Sequence, residues 1–139
     1  MPLIPDDIIS FFESYRRAFD ALDGEAIAQH YALPSGIALD TGYVHWPAFE
    51  PIRKNMLGLC NLYRNNGYLS AIFEPAFFIP QGENYAVIDL AWHIERSDKQ
   101  HPWRFNTTYN LIRAPEGWRI LLCTAHSEQR LDTAQKGTQ

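Results

Sequence analysis

The sequence predicts an α+β domain in which three helices from the N-terminal half pack on one face of a curved antiparallel β-sheet. Three observations carry this reading. Apolar residues recur at helical spacing in the first half of the chain, the apolar period falls to two after Gly67, and the period-two segments are joined by short polar connections that make them antiparallel neighbours. With 139 residues, 46% of them hydrophobic, the chain has enough apolar material for one core and too little length for two domains.

Each element follows from local chemistry. From Asp6 to Leu22, Ile8, Phe11, Phe12, Tyr15, Phe19 and Leu22 form one stripe while Glu13, Arg16, Arg17 and Asp20 take the other side, which is an amphipathic helix. Asp6 or Asp7 is expected to cap its start. Asp23-Gly24 ends it, with Asp23 capping a short second helix from Glu25 to Tyr31. Pro34 breaks that helix, and Ile37-Ala38-Leu39, Asp40-Thr41-Gly42 and Tyr43-Val44-His45 read as a short hairpin with Asp40 at its turn. A third helix starts near Trp46-Pro47 and becomes regular from Ile52, because proline is tolerated only in a first turn. Its stripe is Ile52, Met56, Leu59, Cys60 and Tyr63, and Asn65-Asn66-Gly67 stops it.

Four strands are expected next: Tyr68 to Ile79, Asn84 to Arg96, Trp103 to Ala114, and Gly117 to Glu128. In the second, Ile88, Leu90, Trp92 and Ile94 alternate with Tyr85, Val87, Asp89, Ala91, His93 and Glu95, so the first set faces the core and the second the outside. The last strand is apolar in both registers, with Trp118, Ile120 and Leu122 on one side and Leu121, Cys123 and Ala125 on the other. It is therefore expected to be covered on both faces, and a homodimer through the convex side of the sheet supplies the second cover. The domain spans residues 1–128, and the polar segment 129–139 is expected to be disordered.

Composition excludes several roles. A net charge of −4, with basic residues scattered in ones and twos, argues against a nucleic-acid or anionic-membrane partner. No apolar run reaches the roughly 18 residues of a membrane span, and the acidic start has no basic leader, so a cytoplasmic protein is expected. Cys60 and Cys123 form no C-x-x-C pair and read as buried free thiols; the five histidines show no metal-ligand spacing. Neither a metal nor a cofactor is expected.

Two stretches, Tyr15 to Gly24 running into Tyr31 and Gly117-Trp118-Arg119-Ile120 ending at His126-Ser127, together with the element order, resemble the nuclear transport factor 2-like superfamily, its SnoaL-like and ketosteroid isomerase-like branch. The resemblance covers residues 8–128 and implies a cystatin-like, cone-shaped sheet whose concavity is a pocket. Tyr15, Tyr31, Met56, Cys60, Trp92, Phe105, Tyr109, Leu122, Thr124 and His126 are its candidate lining, suited to a small apolar ligand. In ketosteroid isomerases a carboxylate after the first strand moves a proton while a tyrosine on the first helix donates to the developing enolate. The resemblance places Asp40 and Tyr15 at those positions. The second acid of those enzymes falls on Tyr109 and a supporting tyrosine on Met56, so their specific pair is absent.

The residues themselves leave alternatives open. Asp40 also reads as an ordinary turn aspartate, and Tyr15 as a buried tyrosine with a structural partner. His126, in register with Leu122 and Thr124, is expected to point inward as an acid, a base or a hydrogen-bonded wall residue. Asp89 and His93 are expected on the outer face as dimer contacts, and Arg104 in solvent. Ser127 and Ser35 have no nucleophile-elbow context, so acyl transfer is not expected. Two functions fit: a cofactor-independent proton-transfer enzyme of isomerase, dehydratase or cyclase type, or a non-catalytic dimeric ligand-binding module.

Overall fold

In the computed structural model, residues 3–97 and 103–130 are described, the last two by backbone alone. The elements run α1 Asp6–Asp20, α2 Gly24–Ala28, β1 Tyr31–Leu39, β2 Gly42–Trp46, α3 Phe49–Asn65, β3 Tyr68–Gln81, β4 Tyr85–Arg96, β5 Trp103–Ala114 and β6 Gly117–Arg130. One six-stranded sheet has the order β2-β1-β6-β5-β4-β3. Every pairing is antiparallel except β1 with β6, which is parallel. The sheet curves without closing, and the three helices cover its concave face. Strand β6 continues two residues past the expected domain end at 128; most of the expected polar tail lies outside the described residues.

The helices hold to the sheet through both core and polar contacts. Ile8, Phe12 and Tyr15 of α1 and Ile52, Met56 and Tyr63 of α3 are buried against it. The N-cap of α1 is Pro5, with no side-chain cap. Asp7 instead accepts from the Trp118 indole at 3.1 Å and from Arg113 at 3.5 Å, tying the start of α1 to the β5–β6 hairpin. At the other end Asp20 accepts from the Tyr68 hydroxyl at 2.7 Å and the Ala71 backbone N–H at 3.0 Å, pinning α1 to β3. Asp23 does cap α2, accepting from the Ala26 N–H at 3.1 Å. Gly24 is needed for a close approach, since a Cβ there would meet the Leu57 backbone N of α3 at 2.9 Å.

Several boundaries differ from the sequence expectation, among them the start of α3, which falls at Phe49 because Trp46 ends β2. Tyr31 opens β1 instead of ending α2, and Pro34 lies inside β1 instead of preceding it. The β1–β6 register shifts between Tyr31 and Gly36, and pairing with β2 begins only at Ser35, so the missing proline N–H falls where no ladder uses it. In α3, Pro51 sits in the first turn, where no intrahelical donor is required, and the helix is regular from Phe49.

The largest correction concerns β6. Its register against β5 shifts between Asn110 and Leu111, whose partners are Leu122 and Ile120, leaving Leu121 as an extra residue. This β-bulge reverses the alternation: Trp118 and Ile120 face the core before it, and Cys123 does so after it. Leu122, Thr124 and His126 therefore stand on the convex side, opposite to the inward orientation their spacing predicts.

Candidate functional site

The concave side of the sheet and the helices enclose a cavity of about 440 Å³. Its floor is a cluster of buried hydroxyls and a thiol brought together from four elements: Tyr15 of α1, Tyr31 of β1, Tyr109 of β5 and Cys123 of β6. The Tyr15 and Tyr31 hydroxyls share a hydrogen bond of 2.7 Å, Tyr31 lies 3.5 Å from the Cys123 sulfur, and the Trp92 indole N–H donates to the Tyr109 hydroxyl at 3.1 Å. Ring contacts order the cluster further, with Tyr15 edge-on to Tyr109 at 5.8 Å between centroids. The Tyr15 position follows from the α1 stripe, and Tyr109 and Cys123 are cross-strand partners on the inner face.

Burial sets the protonation of this floor. Removing the phenols of Tyr15, Tyr31 and Tyr109 from water pushes each far above the ordinary tyrosine range, and burial pushes the Cys123 thiol up to about 11. All four are neutral at physiological pH and act as hydrogen-bond donors and acceptors, not as charged groups.

Above the floor the walls are apolar: Met56 and Leu59 of α3 face Trp92, Ile94, Trp103 and Phe105 of the sheet. The exposed side chains of Leu39, Asp40, Asn55 and Leu62 mark the mouth, together with Ser127 and Glu128 of β6. Among the described residues no lysine or arginine lines this cavity. Asp40 sits at the β1–β2 turn, exposed, and makes neither a turn-capping hydrogen bond nor an ion pair among the described residues. Glu128 accepts from the Trp103 indole at 2.6 Å.

Of the residues singled out in the sequence, Tyr15, Tyr31, Met56, Trp92, Phe105, Tyr109 and Asp40 border the cavity, and His126 borders it beside Ser127 at the mouth. Cys60 does not: it is buried in the helix core beside the lining residues Met56 and Leu59. Leu122 and Thr124 do not either, because the Leu121 bulge turns them to the convex side. The same bulge puts the His126 imidazole on that side, where its Nε2 lies 2.7 Å from an Asp89 carboxylate oxygen and its Nδ1 lies 2.9 Å from the Ser127 hydroxyl. Asp89 also accepts from Asn106 at 2.7 Å and Thr108 at 2.6 Å and is 2% exposed. Burial alone would raise its pKa, but the hydrogen bonds from Asn106, Thr108 and His126 outweigh that and hold it below the usual carboxylate value.

The network joining Asp89, Asn106, Thr108 and His126 spans three strands and was not legible as a unit in the sequence. Its one signal is a carboxylate in the middle of β4, flanked on both sides by apolar residues.

Comparison with known proteins places this architecture. No curated protein matches the sequence. Among solved structures, an NTF2-like protein of unknown function from Shewanella oneidensis superposes with a TM-score of 0.70 at 14% identity, over 86% of this chain and 96% of the other. A domain of unknown function with a cystatin-like fold from Nostoc punctiforme gives 0.73 at 13% identity, over 98% and 86%. A ketosteroid isomerase-like protein from Erwinia carotovora atroseptica gives 0.64 at 11% identity, over 90% and 94%. At these identities the likeness is one of fold. The family model described as NTF2-like protein (DUF6841) matches residues 6–128, and the chain belongs to that NTF2-like family.

Proposed function

We propose that the cavity takes up a small, neutral, largely apolar molecule and holds one of its oxygens, a carbonyl or hydroxyl, on the tyrosine floor. The observation that carries this reading is the 2.7 Å Tyr15–Tyr31 hydroxyl pair at the bottom of an aromatic cavity. Buried hydroxyls that are neutral and partly satisfied by one another favour a ligand that completes their hydrogen bonding, and the lack of a cation among the described lining residues disfavours a carboxylate or phosphate. The volume suits a one- or two-ring compound.

Trp92 and Trp103 line the cavity, so titration with cyclic ketones and substituted phenols is expected to quench tryptophan fluorescence saturably. Tyr15→Phe is expected to weaken the best of these ligands by about 5- to 10-fold, the worth of one buried hydrogen bond. Binding that is absent, or unchanged in both Tyr15→Phe and Tyr31→Phe, would sink the reading.

A second reading, proton transfer on the bound carbonyl compound, is favoured by Asp40, a carboxylate without a protein partner among the described residues at the mouth of the same cavity. The floor would polarise the carbonyl while Asp40 moves the proton. Solvent deuterium entering the ligand beside its carbonyl, and ceasing to do so in Asp40→Asn, is the expected result.

The convex face fits a second copy of the chain. Ile72, Phe77, Ile79 and Tyr85 point outward from neighbouring strands and are 40–55% exposed. Sedimentation equilibrium is expected to give twice the chain mass for the wild type and the chain mass for Ile79→Lys.

A further inference from the structure

We infer that Ser127, His126 and Asp89 form a nucleophilic site at the cavity mouth, able to take the acyl group from a small ester or thioester whose acyl part is apolar. This goes beyond the binding reading, since it assigns a covalent step to residues outside the tyrosine floor.

The geometry is that of an activated hydroxyl. Asp89 is ionised, and its oxygen 2.7 Å from His126 Nε2 can only accept, so the ring proton sits on Nε2. That leaves the Nδ1 lone pair for the Ser127 hydroxyl at 2.9 Å, so the imidazole can serve as general base with its two nitrogens exchanged relative to the usual Ser-His-Asp arrangement. Asn106 and Thr108, donating to the same carboxylate, fix its rotamer and leave it no freedom to turn away. Thr108 Oγ1 also lies 3.3 Å from Nε2. Asp89 is thus a positioning residue, and His126 and Ser127 are the groups that meet substrate.

The backbone presents the hydroxyl. Between the pairs Asn106–His126 and Arg104–Gln129 the register shifts, so that Ser127 and Glu128 stand opposite Phe105 alone. Ser127 has φ 56°, a left-handed conformation uncommon outside glycine, and its side chain is exposed. It borders both the apolar cavity and a groove on the convex face that Arg104 also lines. An acyl group can therefore lie in the cavity with its carbonyl at Ser127. No G-x-S-x-G motif announces the site because a sheet bulge, not a strand-to-helix turn, supplies the strained backbone.

The step balances within the protein and substrate. The Ser127 oxygen bonds to the acyl carbon as its proton passes to His126 Nδ1, the bond from that carbon to the leaving oxygen or sulfur breaks, and the leaving group takes the proton. Water then repeats the sequence and releases the acid.

The test is reaction of the purified protein with diisopropyl fluorophosphate, followed by intact mass and peptide mapping, with p-nitrophenyl butyrate hydrolysis as the turnover readout. One phosphoryl adduct on Ser127 is expected, absent in Ser127→Ala and formed at least about 100-fold more slowly in His126→Gln. Both side chains are exposed, so these variants keep the wild-type circular dichroism. In Asp89→Asn, the downfield imidazole N–H resonance of the wild type should move upfield as labelling slows, a change that loss of packing alone does not produce. An unlabelled wild type, an adduct elsewhere, or equal labelling rates in wild type and His126→Gln overturns the inference.

Discussion

Phe12→Ala is expected to lower the unfolding free energy by about 3–5 kcal/mol and the melting temperature by roughly 10 °C or more. Phe12 is fully buried, with Phe11, Tyr15 and Tyr109 ring centroids at 5.0, 6.0 and 4.8 Å, and Phe73 at 6.4 Å. Truncation removes its transfer energy and leaves a void between α1 and the sheet, lined by stiff rings that cannot collapse into it. Because Tyr15 and Tyr109 lose a supporting neighbour, ligand affinity should fall along with stability. Urea unfolding of the variant beside Arg17→Ala, a change on the exposed side of α1, checks the claim; a loss below about 1 kcal/mol for Phe12→Ala would mean that α1 is not packed as described.

Alkaline pH should unfold the protein sharply. Cys123 rises from an ordinary value of about 9 to about 11 through burial, and Tyr15, Tyr31, Tyr68 and Tyr109 are all raised, burial again leading. Groups with raised folded values keep their protons in the native state while the unfolded chain loses them. Stability is thus fully present below the unfolded values and drains away as pH climbs through the folded ones. Cys123 alone accounts for about 2–3 kcal/mol between pH 9 and 11, and the tyrosines add to this above pH 10. Urea midpoints should hold to pH 8.5 and then fall. In a spectrophotometric titration, Tyr15, Tyr31, Tyr68 and Tyr109 should ionise only with unfolding; their reversible ionisation in a folded protein would refute the buried floor.

Much of the architecture was legible because it rests on local periodicity. The stripes of α1 and α3 fell where Phe12, Tyr15, Ile52 and Met56 recur, and β4 alternates as Ile88, Leu90, Trp92 and Ile94 require. What escaped depends on contacts between distant segments. Nothing local marks Leu121 as an extra residue, since Leu121, Leu122 and Cys123 suit either face, so the orientation of everything after it was lost. Tyr31 and Pro34 were assigned by propensity, whereas the long-range pairing of β1 with β6 decides their state. The Asp89 network escaped for a similar reason: its donors Asn106, Thr108 and His126 come from two other strands, and polar residues on an outward register look like solvated surface until the register is known.

The parallel pairing of β1 with β6 also governs how the chain must assemble in time. The sheet order places the last strand between the first hairpin and the β3–β5 meander, so the two parts of the sheet share no edge until β6 arrives. During synthesis, α1 to α3 and the β1–β2 ribbon emerge long before their central partner and wait with their apolar stripes unsheltered. Contacts of such sequence separation carry a loop-closure cost before they bring any reward, which makes for slow folding for a domain this small. Completion falls to β6, the latest of these six strands in chain order and the one that also carries Cys123 to the cavity floor and Ser127 to its mouth. The pocket and the finished fold therefore come into being in the same event.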